Sequence, residues 1–426
     1  MINSNSELSS LRLSNINIHG GLIFGYNTGV IAAVLTVKEW SGMNEIDKGF
    51  LTCSILLGAM IGSLLAGFVT ERVGRKKPMY ILAVLSIVGA LGSAFVPHGL
   101  WIVIPFRLIL GIAVGSSGIV CPLYVGEMAS PERKGTLGTV FQIAITVGIL
   151  VGDVIGFSLK NVVYSYRIMF GLGAIPGVFL IATLFFVPES NVWIEKRNTQ
   201  RNTLLLLNKD ETGGMGIKLL LSKPAGRFAL FIGSILAINN QLTGINAFMY
   251  FSPSIFQQAG ISGNGITIAT ICLVGWNVIS TLAATFLIDR IGRKKLMVIS
   301  TVGMSISCLT LALLFTLVKG TVLGYLSVVL LFVFVFAFEL GAGPLFWILV
   351  IEIFPEEMKD LGSSLLNALQ WIFNIALSFS FLWLVSLIGQ AAIFWIFGGI
   401  GIFCLVLVSI YLPDTQVVNQ GYKPID

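Results

Sequence analysis

Long apolar stretches, separated by short polar ones, dominate the chain. Most are near or above the roughly 20 residues that a helix needs to cross a bilayer. Lipid offers the backbone no hydrogen-bond partners, so stretches of this length are expected to be helices. A longer polar stretch at 188–227 divides them into six and six. The predicted spans are 16–36, 50–70, 78–96, 100–124, 136–157, 167–187, 228–252, 265–288, 296–318, 322–350, 361–387 and 389–412.

Two polar motifs occur twice, at matching places in the two groups of spans. The loop Glu71–Lys77 (ERVGRKK) returns 218 positions later as Asp289–Lys295 (DRIGRKK). The sequence Pro-Glu-Ser at 188–190 returns 225 positions later as Pro-Asp-Thr at 413–415. This repetition predicts a duplicated, all-α membrane protein with six-helix halves at 1–187 and 228–426 and a short linker at 188–227. Parallel six-helix repeats of this kind are typical of the major facilitator fold.

Composition narrows the class further. The chain is 56% hydrophobic and 11% charged, whereas soluble domains carry about 25% charged residues. A water-soluble enzyme is therefore excluded. Five cysteines form no CxxC pair, and two histidines offer neither a metal cluster nor a catalytic triad. We expect no cofactor, no metal, no catalysis and no nucleic-acid partner; the surroundings are the lipid bilayer.

The basic residues indicate the orientation. With the N-terminus inside, 20 of the 26 Lys and Arg residues fall on the cytoplasmic side and five on the other, while Arg107 lies within the fourth span. Because cytoplasmic loops carry the excess of Lys and Arg, we expect both termini to be cytoplasmic.

Polar residues inside the spans are costly and are functional candidates by default. The charged ones are few, chiefly Arg107, Asp153 and Glu339, and the others are amides: Asn27, Gln142, Asn239, Asn240, Gln241, Asn246, Asn277, Asn367, Gln370 and Asn374. Amides both donate and accept hydrogen bonds, which suits a neutral, hydroxyl-rich solute. Phe338, Trp347 and Trp371 could pack against the apolar face of a sugar ring. Gly244 and the run Gly341–Pro344 are predicted to interrupt the seventh and tenth spans.

These motifs together resemble the sugar porter family of the major facilitator superfamily, and within it the facilitative glucose transporters. The resemblance extends from Gly21 to Thr415 and includes FGYNTGV at 24–30, YVGE at 124–127 and QLTGIN at 241–246. It implies a sugar site formed by Gln142, Gln241, Asn246, Asn277, Glu339, Trp347 and Gln370, to which we add Asn240, Phe338 and Asn374. The family usually has glutamine at position 240 and asparagine at position 370.

The resemblance also implies a charged cytoplasmic gate that joins the halves while the site faces outward. Its predicted members are Glu127, Arg72, Arg75, Arg133 and Lys134 in the first half and Glu352, Arg290, Arg293 and Lys359 in the second. Lys359 stands where the family usually has arginine, and lysine cannot form a two-pronged bond with a carboxylate.

Asn27 bears on the transport mode. Symporters of the family place a titratable Asp here, and Asn cannot titrate, so we expect uniport of a hexose, with glucose favoured, by a monomer in the cell membrane. The rival interpretation is proton-coupled symport through Asp153, near the outer end of the fifth span. A sugar-sensing receptor is a remote alternative, because such receptors signal through long tails.

Overall fold

The computed structural model describes residues 3–35, 37–97, 99–130, 133–159, 162–207, 220–355 and 357–413. Apolar segments form helices throughout this part of the chain. The helices are α1 (Asn3–Val34), α2 (Lys38–Ser41), α3 (Glu45–Val73), α4 (Lys76–Phe95), α5 (Leu100–Met128), α6 (Lys134–Leu159), α7 (Ser165–Leu172), α8 (Ile175–Leu184), α9 (Asn191–Leu207), α10 (Pro224–Gln241), α11 (Ile245–Gln258), α12 (Asn264–Ile291), α13 (Arg293–Leu317), α14 (Thr321–Leu340), α15 (Pro344–Glu352), α16 (Lys359–Ile388) and α17 (Gln390–Tyr411).

Eleven of the described segments are long and apolar enough to cross a membrane. Three of them, Ser165–Leu184, Pro224–Gln258 and Val322–Glu352, each contain a pair of helices. Helix α1 is not among the eleven; it begins about 13 residues before the predicted first span and packs along α6 and α5 inside the bundle.

Three spans are interrupted, and the sequence anticipates two of the breaks. Gly244 has φ 105° and separates α10 from α11, a backbone conformation that favours glycine. The run Gly341–Gly343 separates α14 from α15, and Pro344 then opens the new helix. The third break, at Gly173 between α7 and α8, was not expected, and the sixth span ends at Leu184 rather than 187.

The stretch 188–227 is not simply a polar connection. Helix α9 occupies Asn191–Leu207, and the Trp193 indole N–H donates to the Glu71 carbonyl oxygen at 3.0 Å. Residues 208–219 of the predicted linker and 414–426 of the predicted tail lie outside the described residues.

Glycine permits very close helix packing before the linker. A Cβ on Gly25 would collide with the Ile145 backbone across the α1–α6 contact, and one on Gly115 would collide with the Ala59 backbone across the α3–α5 contact. Small residues of this kind let membrane helices approach closely. Helices α1 and α6, and likewise α3 and α5, therefore pack backbone to backbone.

The helices before and after α9, here called the first set (α1–α8) and the second set (α10–α17), meet chiefly along two contacts. Helix α3 lies against α16, and α6 lies against α12. Between these two contacts the sets enclose a cavity.

Candidate functional site

The cavity between the sets is lined by all ten residues that the sequence analysis assigned to the sugar site. They are Gln142, Asn240, Gln241, Asn246, Asn277, Phe338, Glu339, Trp347, Gln370 and Asn374. Phe24, Thr28, Thr146, Asp153 and Tyr250 also line it. The breaks at Gly244 and at Gly341–Gly343 turn the amides of α10 and the tryptophan of α15 toward the same space.

Gln142 on α6 joins the two sets across the cavity. The Trp347 indole N–H donates to Gln142 Oε1 at 2.9 Å. Gln142 Nε2 in turn faces both carboxyl oxygens of Glu339, at 3.2 and 3.3 Å. The polar groups that a solute would contact are thus paired with one another across the interface.

A second group of hydrogen bonds links amides of the second set. Gln241 Nε2 donates to Asn240 Oδ1 at 2.8 Å, and Asn246 Nδ2 donates to Gln241 Oε1. Gln370 Nε2 approaches the same Asn240 oxygen at 3.4 Å. Asn240 Nδ2 donates to the Ala342 carbonyl oxygen at 2.7 Å. Asn240 therefore connects the break in the seventh span to the break in the tenth.

Several buried acceptors in the cavity have no hydrogen-bond partner among the described residues. They are Asn277 Oδ1, Gln370 Oε1 and Asp153 Oδ1. A buried polar atom without a partner costs free energy, so these oxygens favour a ligand that brings hydroxyl donors. Asn374 Oδ1 instead accepts from the Ser378 hydroxyl at 3.0 Å.

Aromatic rings form one wall of the cavity. Phe24 packs edge-on against Trp347, with ring centroids 5.9 Å apart, and also contacts Trp371 at 5.2 Å. Trp371 stands behind Phe24 and does not line the cavity, contrary to its expected place at the sugar ring. Apolar ring faces beside neutral amides can hold both sides of a pyranose, its C–H faces and its hydroxyls.

Some candidate amides lie away from the cavity. Asn239 donates to the Thr301 hydroxyl at 2.9 Å, a bond between helices α10 and α13. Asn367 is buried outside the lining. Asn27 donates to the Ile23 carbonyl oxygen at 2.9 Å within its own helix, and it does not line the cavity either.

Arg107 lies beside Asn27, fully buried. One guanidinium nitrogen donates to the Asn27 carbonyl oxygen at 3.3 Å, and the Phe170 ring lies 5.1 Å from the guanidinium carbon. No carboxylate of the described residues forms an ion pair with it. The cation at this position is held by a neutral backbone and an aromatic face.

The face that carries the basic loops, here called the basic face, contains two related ion pairs. Arg75 contacts Glu127 through Nε and Nη2, at 2.6 to 3.1 Å, and Arg293 contacts Glu352. The two arginines are 218 positions apart and the two glutamates 225 apart. Each pair lies within its own set, so these predicted gate residues do not by themselves join the sets.

The remaining gate candidates are placed differently. Arg133 donates to the Ser10 hydroxyl at 2.9 Å, since α1 extends further toward this face than the sequence indicates. Arg72 and Arg290 are exposed, Lys359 is half-buried, and the side chain of Lys134 lies outside what the structure describes.

Three residues of the basic face were missed at the sequence level. Asp360 lies 3.3 Å from Arg75 and 3.8 Å from Lys196 of α9. Glu189 accepts from the backbone N–H groups of Arg75 and Lys76, at 2.8 and 3.2 Å, and so caps α4. The one available signal was that Glu189 belongs to a repeated motif.

Two opposing effects act on the pKa of Arg75. Burial alone would lower it, but the hydrogen bond with Glu127 and the negative charges of Asp360 and Glu127 raise it on balance. The side chain therefore remains a cation while only 2% exposed.

The described residues contain no group of three or more His, Cys, Asp or Glu side chains able to hold a metal ion. The cavity is lined by neutral amides, aromatic rings, hydroxyls and the carboxyl groups of Asp153 and Glu339.

Known proteins match this chain over nearly its full length. The model of the family described as sugar (and other) transporter matches residues 13–419. A D-xylose transporter of Levilactobacillus brevis is 32% identical, with 96% of this chain and 92% of that protein covered. The glucose transporter GlcP of Staphylococcus epidermidis is 31% identical, with 93% and 92% covered. A galactose-proton symporter of Escherichia coli is 30% identical, with 94% and 90% covered.

Solved structures show the same architecture. The proton:xylose symporter XylE of the major facilitator superfamily, bound to 6-bromo-6-deoxy-D-glucose, superimposes with a TM-score of 0.82 at 26% identity, over 97% of this chain and 99% of that one. A partially occluded inward open form of XylE from E. coli gives 0.76 at 27% identity, over 96% and 99%. The chain belongs to the sugar transporter family of the major facilitator superfamily and is a multi-pass membrane sugar transporter.

Proposed function

We propose that the chain is a monomeric uniporter of hexoses, glucose first among them, that works by alternating access. The halves 1–187 and 228–426 would rock about the cavity. The basic face would be the cytoplasmic side of the cell membrane, with both termini on it, because basic loops remain cytoplasmic.

The observation that carries the uniport proposal is Asn27 beside Arg107. Proton coupling requires a group whose protonation responds to the state of the carrier. An amide does not titrate, and Arg107 has no carboxylate partner among the described residues that could exchange a proton with it. The first span therefore offers the cavity no proton carrier.

A hexose fits the polar lining. Asn277 Oδ1 and Gln370 Oε1 are buried acceptors that await donors, while Gln142, Gln241 and Asn246 hold bonds with neighbouring side chains that hydroxyls can replace. Such exchange keeps binding shallow: a millimolar site corresponds to about −4 kcal/mol. The relatives named for glucose, galactose and xylose support a monosaccharide of this size.

A second candidate is proton-coupled symport through Asp153. Two observations favour it. Asp153 lines the cavity with one carboxyl oxygen unpartnered among the described residues, and similar proteins are named as proton symporters.

Uptake of labelled sugars into proteoliposomes tests both candidates. For a uniporter, the internal sugar concentration rises to the external one and no further, and an inward proton gradient changes nothing. Accumulation above the external concentration that an uncoupler abolishes would contradict uniport. Loss of that accumulation in Asp153→Asn would then assign the coupling to Asp153. A competition panel of hexoses and pentoses in the same vesicles tests the preference for glucose.

A further inference from the structure

Arg107 is a buried cation of the first set that the cavity does not use. Its side chain is fully buried and lies outside the cavity lining. One guanidinium nitrogen, Nη2, donates to the Asn27 carbonyl oxygen at 3.3 Å. Nε and Nη1 are buried as well, and they have no hydrogen-bond partner among the described residues. Because arginine keeps its proton in proteins, a full positive charge is left here with one neutral acceptor.

No acidic side chain of the described residues forms an ion pair with Arg107. Helices α1, α3, α4 and α6 pack against α5, and Asp153 of α6 lines the cavity instead. Gly58 of α3 faces the Leu108 carbonyl oxygen, so the positions near the ends of α3 lie about 15 Å or more from Arg107 along the helix. The other acidic residues of these helices are all near helix ends, namely Glu7, Glu45, Asp47, Glu71 and, on α5 itself, Glu127.

An apolar cluster borders the guanidinium group. Val103, one turn earlier on α5, belongs to this cluster together with Trp40, Tyr166 and Phe170, all of them buried. The Phe170 ring lies 5.1 Å from the guanidinium carbon. A water molecule would satisfy the free N–H groups, but it carries no charge, and an unpaired charge in such surroundings is costly. The position therefore favours a partner that is negatively charged.

The break in the sixth span lies beside Arg107. Asn27, whose carbonyl oxygen accepts from Arg107, donates through Nδ2 to the Gly173 carbonyl oxygen at 3.4 Å. Phe170, which contacts the guanidinium group, is three residues before Gly173. Helix α8 then begins at Ile175 and runs for 10 residues. Its first N–H groups have no acceptor within the helix, and such a helix end favours a negative charge. The free guanidinium N–H groups and a helix N-terminus therefore flank Asn27.

We propose that Arg107 and the start of α8 bind a small monovalent anion, chloride in ordinary salt solution, inside the first set. The anion accepts hydrogen bonds from Nε and Nη1 and supplies the negative charge that no described side chain provides. A halide matches the single charge of Arg107, whereas a dianion such as sulfate would leave an excess negative charge buried. The site is separate from the cavity, so the proposal holds for a uniporter and for a symporter alike.

Replacement of chloride tests the proposal. The full-length protein in detergent is heated in sodium gluconate, and gluconate is exchanged stepwise for chloride at constant ionic strength. The midpoint of thermal unfolding should shift upward and level off as the site fills, because a ligand that binds only the folded state stabilises it. General salt effects do not saturate in this way. An unchanged midpoint, or one that drifts with chloride without levelling off, would overturn the proposal.

A pair of arginine variants assigns the effect to Arg107. Arg107→Gln removes the charge and should abolish the chloride-dependent shift of the midpoint. Arg167→Gln is the matched control, because Arg167 belongs to α7 of the same set and its guanidinium carbon also lies near an aromatic ring, 5.8 Å from that of Tyr164. This control should keep the wild-type shift. Equal chloride shifts in the two variants would place the anion elsewhere and overturn the proposal.

Asn27→Asp decides the question if Arg107→Gln does not fold. Residue 27 already contacts Arg107, and a carboxylate there supplies the missing negative charge from within the chain. The midpoint of this variant in gluconate should reach at least the wild-type value in chloride, and added chloride should raise it no further. A chloride shift as large as that of the wild type would contradict a site at Arg107.

Bromide locates the anion directly, because its anomalous scattering distinguishes it from water. Crystals of the full-length protein grown with sodium bromide should show an anomalous peak next to Arg107 Nε and Nη1, and crystals of Asn27→Asp should lack it. Peaks at other positions with none at Arg107 would identify adventitious ions only and overturn the proposal.

Discussion

The two sets of helices contact each other through polar groups both in the cavity and at the basic face, but the chemistry of these contacts differs. In both, polar groups of the two sets must pair when the sets meet. In the cavity the partners are neutral, as in the bond from the Trp347 indole to Gln142. At the basic face they are charged, as in the contact of Arg75 with Asp360. Neutral bonds of about 1 kcal/mol each are of a kind that the hydroxyl groups of a bound solute can replace, whereas a neutral solute supplies no charge to replace an ion pair.

The largest effect is expected for Glu127→Ala. It removes three hydrogen bonds from a buried arginine and leaves it only the longer contact with Asp360 and the Thr70 carbonyl oxygen. Removal of one partner of a buried ion pair costs up to about 3–5 kcal/mol. The midpoint of thermal unfolding of the detergent-solubilised protein should therefore fall strongly. Glu71→Ala, at an exposed position of the same face, should leave the midpoint unchanged. Equal midpoints for the two variants would show that the Arg75–Glu127 pair does not stabilise the face.

Gln142→Ala should have the next largest effect, and on affinity rather than on stability. Two hydrogen bonds of about 1 kcal/mol each correspond to a sugar dissociation constant about 30-fold higher. Equilibrium binding of labelled glucose measures it. Asn239→Ala is the matched control, because this amide is equally buried but bonds to Thr301 outside the cavity. If both variants weaken binding alike, the effect reports packing and the sugar site is misplaced.

Trp347→Phe tests how much of the sugar affinity depends on one hydrogen-bond donor, the Trp347 indole N–H. A smaller aromatic ring remains next to Phe24, but the N–H bond to Gln142 is lost. Loss of one bond of about 1 kcal/mol implies a sugar dissociation constant roughly fivefold higher. Binding as weak as in Gln142→Ala would mean that the indole ring itself, rather than its N–H group, holds the sugar.

Glu357→Gln should have the smallest effect. Lys223 donates to Glu357 at 2.9 Å and lowers the pKa of this carboxyl group. The pair therefore contributes above the ordinary pKa of glutamate and is lost as the pH falls through the lowered value. Because the Glu357 side chain is 67% exposed, water screens the pair and no change in unfolding midpoint is expected at pH 7. A clear fall of the unfolding midpoint at pH 7 would show that the loop before α16 contributes to stability.

The sequence was a good guide where lipid constrains the chain. Long apolar runs in lipid are restricted to helices, and the duplicated loops indicated the fold class. The resemblance to the sugar porter family implied seven of the ten cavity residues. The cost of burying amides in a membrane alone did not separate them from Asn27, Asn239 and Asn367, which lie outside the cavity. The extra helical turns of α1, the helix α9 and the break at Gly173 lie near polar or glycine-rich ends, where hydropathy carries little information.

Asp360 could not be found from the sequence for a different reason. It lies in an ordinary charged stretch of the sequence at the start of α16, and Glu357 nearby is also acidic. Only the folded chain shows which carboxylate faces Arg75. The same holds for Asn239 and Asn240, adjacent amides of which one bonds to a neighbouring helix and the other lines the cavity. Rotation of about 100° per residue around a helix separates their roles.

The glycine contacts within the first set carry a consequence for how variation is tolerated. At Gly25 and Gly115 even one methyl group would meet the backbone of the neighbouring helix. In a saturation scan of all positions, the narrowest tolerance should therefore fall at sites remote from any sugar, whereas cavity residues should accept several amino acids with altered preference. Substrate specificity can then change readily among related chains, whereas Gly25 and Gly115 cannot be replaced by any residue that has a Cβ atom.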